Sequence, residues 1–291
     1  MSEKILKLGI PKGSLEKATY DLLDRAGFNI SSSGRSYFPS IDDEQIRLIT
    51  LRAQEMSRYV EDGVLDAGLT GYDWVMENGS NVKEVCELLY SKATSKPARW
   101  VLAVANESEI QKPEDLAGGI IATELVNVTQ KYFKEKGIDL KVEFSWGATE
   151  VKARLVEAIV ELTETGSSLV ANNLRIIDTV MTSTTRFIAN NNSWKDDFKR
   201  EKIENIAILL NAAIDAKTKV GMKMNVKRAD LDTILKILPA EKSPTVSDLA
   251  NSEYVAIEII IGDSIERQLI PQLKRAGASG IFTYPLNKVI H

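Results

Sequence analysis

The run Glu157-Ala-Ile-Val-Glu-Leu-Thr-Glu-Thr-Gly-Ser-Ser-Leu169 concentrates residue types that can do chemistry. Ala158–Glu161 predicts a buried strand that delivers the Glu161 carboxylate to its carboxyl end. Leu162–Ser167 reads as a loop dense in hydroxyls, and a helix begins at about Ser168. Backbone N–H groups at a helix start converge on one spot, and the helix dipole favours an anion there. Gly166 can take a backbone shape closed to other residues and lets a phosphate approach closely. Thr163, Thr165, Ser167 and Ser168 can add hydroxyl donors, while Glu161 can accept hydrogen bonds from vicinal sugar hydroxyls. Together these parts describe a site for a ribose 5-phosphate. A polar turn with a capping hydroxyl also explains the Thr-Glu-Thr-Gly-Ser string, but it does not require the acidic strand end. Glu164 constrains the reading. Beside a phosphate it is repelled by roughly 1 kcal/mol in water and more when dry, so either it turns outward or the phosphate reading is wrong.

The rest of the composition narrows the chemistry. The one cysteine, Cys86, can form neither an internal disulfide nor a thiolate zinc site, and the one histidine, His291, is the last residue. Histidine-based triads, Cys-His pairs and multi-histidine zinc sites are therefore excluded. Carboxylates, hydroxyls, backbone amides, Lys/Arg and Mg²⁺ are left to do the work. A net charge of −4 argues against a general nucleic-acid binder, so an anionic ligand must meet a local cluster of positive charge. Apolar stretches such as Val255–Ile261 are far too short to span a membrane. The start MSEKILKLGI lacks the serial segments of a signal peptide, which predicts a cytoplasmic protein.

At 291 residues the chain exceeds one comfortable core. Strands are predicted at Ile5–Ile10, Gln45–Leu51 and Ala67–Leu69, with helices at Leu15–Ala26, Ala53–Asp62 and from Tyr72 to Glu77. This alternation predicts a parallel sheet covered on both faces. A second unit follows, with strands Trp100–Ala105, Ile120–Thr123 and Val142–Ser145 and helices Val128–Lys136 and Thr149–Leu155. Two α/β lobes imply a ligand cleft between them. A helical connector, Ser193–Ala216, leads to strands Val220–Val226, Thr245–Leu249, Val255–Ile261 and Gly280–Tyr284 with helices Leu231–Leu238 and Ile265–Ala276. That β-α-β-β-α-β order is the ferredoxin-like arrangement.

AIVELTETGSSL resembles the phosphoribosyl-pyrophosphate loop of ATP phosphoribosyltransferases, the first enzymes of histidine biosynthesis. LGIPKGSLEKATYDLLDRAG, GVLDAGLTGYDWVMENG, LPAEKSPTVSDLA and GASGI are similar to other stretches of that family, in the same order along nearly the whole chain. The resemblance implies an α/β fold with a two-lobed, periplasmic-binding-protein-like catalytic region and a C-terminal ferredoxin-like (ACT-like) α+β domain. Lobe I would take residues 1–97, completed by about 182–214; lobe II 98–181; and the regulatory domain 217–291. In the implied reaction, adenine N1 of ATP attacks C1 of phosphoribosyl pyrophosphate and Mg²⁺-bound pyrophosphate leaves. Adenine N1 carries no proton that must first be removed, so positioning and electrostatics suffice without a general base.

The resemblance also implies roles. Glu161 stands where the family often has an aspartate on the ribose hydroxyls, and Thr165, Gly166, Ser167 and Ser168 match the 5-phosphate loop with Thr163 and Glu164 beside it. Lys12 and Arg52 are candidates for the pyrophosphate, Asp73 for the pyrophosphate and its Mg²⁺, and Arg35 and Arg99 for the phosphates of ATP. For each cation a solvated surface charge is the competing reading. Asp66 can equally cap backbone, and Trp74 and Trp100 read as packing residues. The long form of the family binds histidine as feedback inhibitor in its last domain, where Asn225 and Thr245 match contacting positions; a helix cap and a residue after a turn proline are the alternatives. Dimers and hexamers of the chain are implied, with no nucleic-acid or membrane partner. Two other readings remain: a passive two-lobed receptor, and a purine-salvage phosphoribosyltransferase, which commonly carries two acidic residues before the loop.

Overall fold

The computed structural model describes residues 4–31, 36–90, 96–239 and 244–290. The chain divides into two compact units, one ending at Ala207 and the other beginning at Ile208. The first unit runs β1 (Leu6–Lys12), α1 (Glu16–Ala26), β2 (Ile30–Ser31), β3 (Ser40–Ile41), β4 (Ile46–Arg52), α2 (Ala53–Glu61), β5 (Ala67–Gly71), α3 (Tyr72–Asn78) and β6 (Lys83–Leu88). It continues through β7 (Ala98–Ala105), β8 (Ile120–Thr123), α4 (Val126–Glu135), β9 (Lys141–Phe144), α5 (Thr149–Lys152), β10 (Ala158–Thr163), α6 (Ser167–Ala171), β11 (Leu174–Ser183) and β12 (Thr185–Ala189). Helix α7 (Asp197–Ala216) contains the boundary between the units.

Two sheets form two lobes. Lobe I has the order β4-β1-β5-β12-β6 and lobe II the order β11-β7-β10-β8-β9. The expectation of parallel sheets needs correction, because both are mixed. β4, β1 and β5 are parallel, but β12 runs antiparallel to β5 and β6, and β7 runs antiparallel to β10 and β11. The reversed strands are β12 in lobe I, which like β6 and β11 escaped the sequence pattern, and β7 in lobe II, whose place was expected but whose direction no residue pattern reveals. In β11, irregularities between Ile176 and Asp178 and between Thr179 and Met181 break the period-two alternation that marks a strand. Three further boundaries differ. The helix expected over Thr149–Leu155 is a single turn to Lys152, entered through Gly147 and Ala148, both at positive φ (97° and 49°). Ser193–Lys195 is a separate 3₁₀ turn ahead of α7. β10 runs on to Thr163, which pairs with Arg99, so Glu161 lies two residues inside its end.

The lobe I layers meet closely at one point. Gly9 and Gly68 are register partners on β1 and β5, and Met56 of α2, fully buried, sits over both. A Cβ on Gly9 would lie 2.3 Å from the Met56 sulfur, and one on Gly68 2.7 Å from it. α1 ends as its sequence suggests, with Gly27 left-handed at φ 102° and its amide satisfied by the last turn.

The second unit contains β13 (Lys219–Lys227), α8 (Leu231–Ile237), β14 (Thr245–Asp248), β15 (Tyr254–Gly262), α9 (Asp263–Arg275) and β16 (Ser279–Pro285). Its sheet is antiparallel throughout, in the order β14-β15-β13-β16, which is the ferredoxin-like arrangement. Met222, Met224, Val226, Val255, Ile257 and Ile259 point to one face and pack with Ile234, Leu269 and Leu273 of the two helices. No helix among the described residues is long and apolar enough to cross a membrane.

The close approach over Gly9 predicts that Gly9→Ala forces Met56 and Leu65 aside and destabilises the first unit by about 1–3 kcal/mol, read as a lower urea midpoint at unchanged slope.

Candidate active site

A cleft of about 1080 Å³ lies between the lobes of the first unit. Its walls are the carboxyl ends of parallel strands, the usual place for a ligand in an open α/β sheet. From lobe I come Lys12 at the end of β1, Arg52 at the end of β4 and Gly71 at the end of β5; from lobe II come Glu124 after β8 and the segment Glu161–Thr165 with Ser167 and Ser168.

The hydroxyl-rich loop is closed by its own groups. Gly166 is left-handed at φ 80° and occupies the N-cap of α6. Its amide donates to Thr163 Oγ1 at 2.7 Å, which braces the loop and leaves the Thr163 hydroxyl proton to donate elsewhere. Thr165 and Ser167 share a hydroxyl bond of 3.0 Å, and the Ser167 amide leans on Thr165 Oγ1 at 3.4 Å. Ser168 Oγ donates to the Glu150 carboxylate of α5. Glu164 is half-buried and belongs to the lining of the cleft. The cleft wall around the loop is thus partly acidic.

Glu161 is the most perturbed carboxyl of this wall. Burial pushes its pKa up to about 7, and the Glu150 and Glu124 carboxylates push the same way, against the Thr149 hydroxyl and the Leu162 amide. The Leu162 N–H donates to Glu161 Oε1 at 3.0 Å. A group poised near neutrality was not expected from the sequence, because its neighbours Glu124 and Glu150 are 37 and 11 residues away in the chain.

Across the cleft Lys12 stands over the Tyr37 ring at 4.6 Å and 3.9 Å from Glu16. Arg52 is exposed at the mouth of α2. Tyr37 and Thr50 are cleft residues that sequence reasoning missed; the Thr50 hydroxyl is buried without a hydrogen-bond partner. A single threonine inside an apolar strand gives no signal.

Two assignments change. Asp73 touches the cleft but is only 3% exposed, and both its oxygens are taken: Trp100 Nε1 donates to Oδ2 at 2.6 Å and Ser183 Oγ to Oδ1 at 2.9 Å. A carboxylate spent in this way is a poor ligand for Mg²⁺ or partner for pyrophosphate. Arg99 does not line the cleft, whereas its strand neighbours Ala98 and Trp100 do, as the two-residue period of β7 dictates. Arg35 lies outside the described residues. Asp66 is structural: it accepts from the Lys7 amide, Ser193 Oγ and Lys199 Nζ at 2.8, 2.7 and 2.7 Å.

In the second unit Asn225 and Thr245 are both exposed, in β13 and β14, so Asn225 caps no helix. Their register partners on β15, Ala256 and Glu258, put them on the sheet face away from the helices, with β15 between them. Within one chain they do not converge.

Comparison with known proteins decides the family. The ATP phosphoribosyltransferase family model matches residues 52–212, and that of the HisG C-terminal domain matches 216–288. The ATP phosphoribosyltransferase of Chlorobium chlorochromatii (strain CaD3) is 57% identical over 288 residues, covering 99% of this chain and 98% of its own. That of Pelotomaculum thermopropionicum is 56% identical over 286 residues, covering 98% and 99%. The chain belongs to the ATP phosphoribosyltransferase family. Among solved structures, the ATP phosphoribosyl transferase (HisG:HisZ) complex from Thermotoga maritima matches at TM-score 0.62 and 29% identity, over 72% of this chain and 99% of that one. Tv2483 bound to L-arginine shares the two-lobed fold at TM-score 0.51 and 12% identity, over 74% of this chain and 87% of that one. The chain is thus a phosphoribosyltransferase of the form that carries the C-terminal domain.

The raised pKa of Glu161 predicts how stability depends on pH. A carboxyl whose folded pKa lies above its unfolded value stabilises the fold fully below about 4.5, and that contribution is lost as pH rises through about 7. Glu161→Gln removes a cost on the order of 2–3 kcal/mol at pH 8. Its melting temperature should exceed the parent's by about 5 °C at pH 8 and by much less at pH 5, in calorimetric scans.

Proposed function

We propose that the cleft transfers the 5-phosphoribosyl group of phosphoribosyl pyrophosphate to N1 of the adenine of ATP, releasing pyrophosphate, as the first step of histidine biosynthesis in the cytoplasm. The observation that carries this reading is the opposition of Glu161 and the Thr165–Ser168 loop on lobe II to Lys12 and Arg52 on lobe I. The 5-phosphate sits at the loop, where it replaces the hydroxyl contacts that Thr165, Ser167 and Ser168 now make with one another and with Glu150. Lys12 and Arg52 receive the pyrophosphate from the other side.

Glu161 accepts hydrogen bonds from the ribose 2- and 3-hydroxyls. Its burial keeps the carboxyl near neutral in the empty cleft, so its charge develops most favourably when a cationic sugar forms beside it. Glu124 and Glu150 add negative potential at the same carbon. Because adenine N1 attacks as a free lone pair, none of these groups needs to act as a base. Mg²⁺ fits as an ion carried in on the diphosphate, where it neutralises the leaving group. The described residues hold no cluster of three or more metal-binding side chains, and Glu161 or Glu124 can supply the one or two carboxylates such an ion takes from protein.

The ferredoxin-like unit is the histidine-binding regulatory module, and the chain works as a dimer or hexamer. Since Asn225 and Thr245 stand a strand apart on one open sheet face, the histidine site is completed by residues other than these two.

Incubation with ATP, phosphoribosyl pyrophosphate, Mg²⁺ and a pyrophosphatase should build the absorbance of N1-substituted adenine; substrate binding with no such product would sink the reading. Glu161→Ala should lower kcat at least ~10²-fold, and a nearly unchanged rate would discard its role. Histidine should inhibit the full chain, and Asn225→Ala or removal of residues after Lys217 should weaken or abolish that inhibition at retained basal turnover.

A further inference from the structure

Helix α3 follows β5 without a break and so belongs by sequence to lobe I, yet both of its ends are held by lobe II. At its first turn the buried Asp73 carboxylate accepts from Trp100 of β7 and Ser183 of β11, and the Asp73 amide donates to Ser183 Oγ at 3.1 Å. Trp74 sets its ring perpendicular to Trp100 at 5.9 Å between centroids. At the other end the Glu77 carboxylate accepts the amides of Asn127 and Val128 at 2.9 and 3.0 Å, capping the first turn of α4. Asn127 Nδ2 returns a bond of 2.9 Å to the Glu77 carbonyl. Lobe I holds the same helix from behind: Ser57 Oγ donates to the Trp74 carbonyl at 3.2 Å, and Asn78 Nδ2 to the Gln54 carbonyl at 2.9 Å. Gly71 leaves the room this needs, since a Cβ there would lie 2.0 Å from Asp73 Oδ1.

We propose that α3 is a strut between the lobes, and that Asp73 and Glu77 are positioning residues that hold the cleft at its working width in the free protein. Two-lobed receptors of this general fold swing about a hinge to close on a ligand. Here such opening would pull Trp100 and Ser183 away from the buried Asp73, leaving it the Trp74 amide alone, and would uncap the amides of Asn127 and Val128 in the first turn of α4. The strut therefore favours one lobe angle. That angle fixes the separation of Lys12 and Arg52 from Glu161, and group transfer between two bound substrates is acutely sensitive to such a separation. The inference rests on the cleft being the site of transfer, for its kinetic readout alone.

The experiment combines kinetics with amide exchange on the full chain. In the parent protein, the amides of Asn127 and Val128 should exchange slowly and equally with and without phosphoribosyl pyrophosphate and Mg²⁺. Protection that arises only on adding substrate would overturn the strut. Asp73→Asn and Glu77→Gln should each lower kcat at least ~10-fold while the KM of either substrate moves less than about threefold, because both carboxylates are already held by protein donors. Asp73→Asn should also change the emission of Trp100. Should Asp73→Asn fail to fold, Glu77→Gln decides: an unchanged kcat in a folded, merely less stable variant refutes a positioning role. If the parent has no transferase activity, the active-site reading fails, and the exchange result still judges the strut.

Discussion

A carboxylate sealed inside a protein must be solvated by the protein itself. Burial raises the pKa of Asp73, and the Trp100 indole, the Ser183 hydroxyl and the Trp74 amide pull it back. The two side-chain donors, Trp100 and Ser183, come from strands of the other sheet, so most of the cost of burying the carboxylate is met only while the lobes are docked. The interlobe cleft inherits its geometry from this requirement. Lysine and arginine on one wall, and hydroxyls and carboxylates on the other, are useful to a two-substrate reaction only at a fixed separation.

The same cleft carries a second electrostatic tension. A loop suited to a phosphate lies against Glu124, Glu150, Glu161 and Glu164. For a passive anion receptor this would be poor design, because every carboxylate weakens the bound anion. For a transferase that generates a cationic sugar it is coherent. Negative potential that is unfavourable in the empty protein becomes favourable as positive charge develops at the reacting carbon. The Glu161 carboxyl is pushed up first by burial and in the same direction by Glu150 and Glu124.

Much of this was legible in the residues, for physical reasons. The Glu161-to-Ser168 segment could be read because an apolar run ending in an acid, followed by hydroxyls and one glycine, is local along the chain. The ferredoxin-like unit could be read because its β13 and β15 alternate cleanly over one core. Asp73 was misread because its partners, Trp100 and Ser183, are remote in sequence, and a carboxylate near a cleft looks the same whether it faces solvent or an indole. The bracing contact of Thr163 could not be foreseen, since from sequence alone its hydroxyl cannot be told from those of Thr165 and Ser167, although it alone accepts the Gly166 amide. The mixed sheets were missed because β12 is only five residues long, and because the pattern of β7 marks a strand but not its direction.

The sheet order of lobe I has a consequence for how the chain is made. β12 stands between β5 and β6, and it leaves the ribosome after every strand of lobe II. Lobe II is complete once β11 has emerged, whereas lobe I then still lacks the strand that joins β6 to the rest. The later part of the first half can therefore collapse while the earlier part waits with a strand edge exposed. The order in which the lobes can complete is thereby the reverse of their order of synthesis, and the interval in which the β5 and β6 edges lack a partner falls between the emergence of β6 and that of β12.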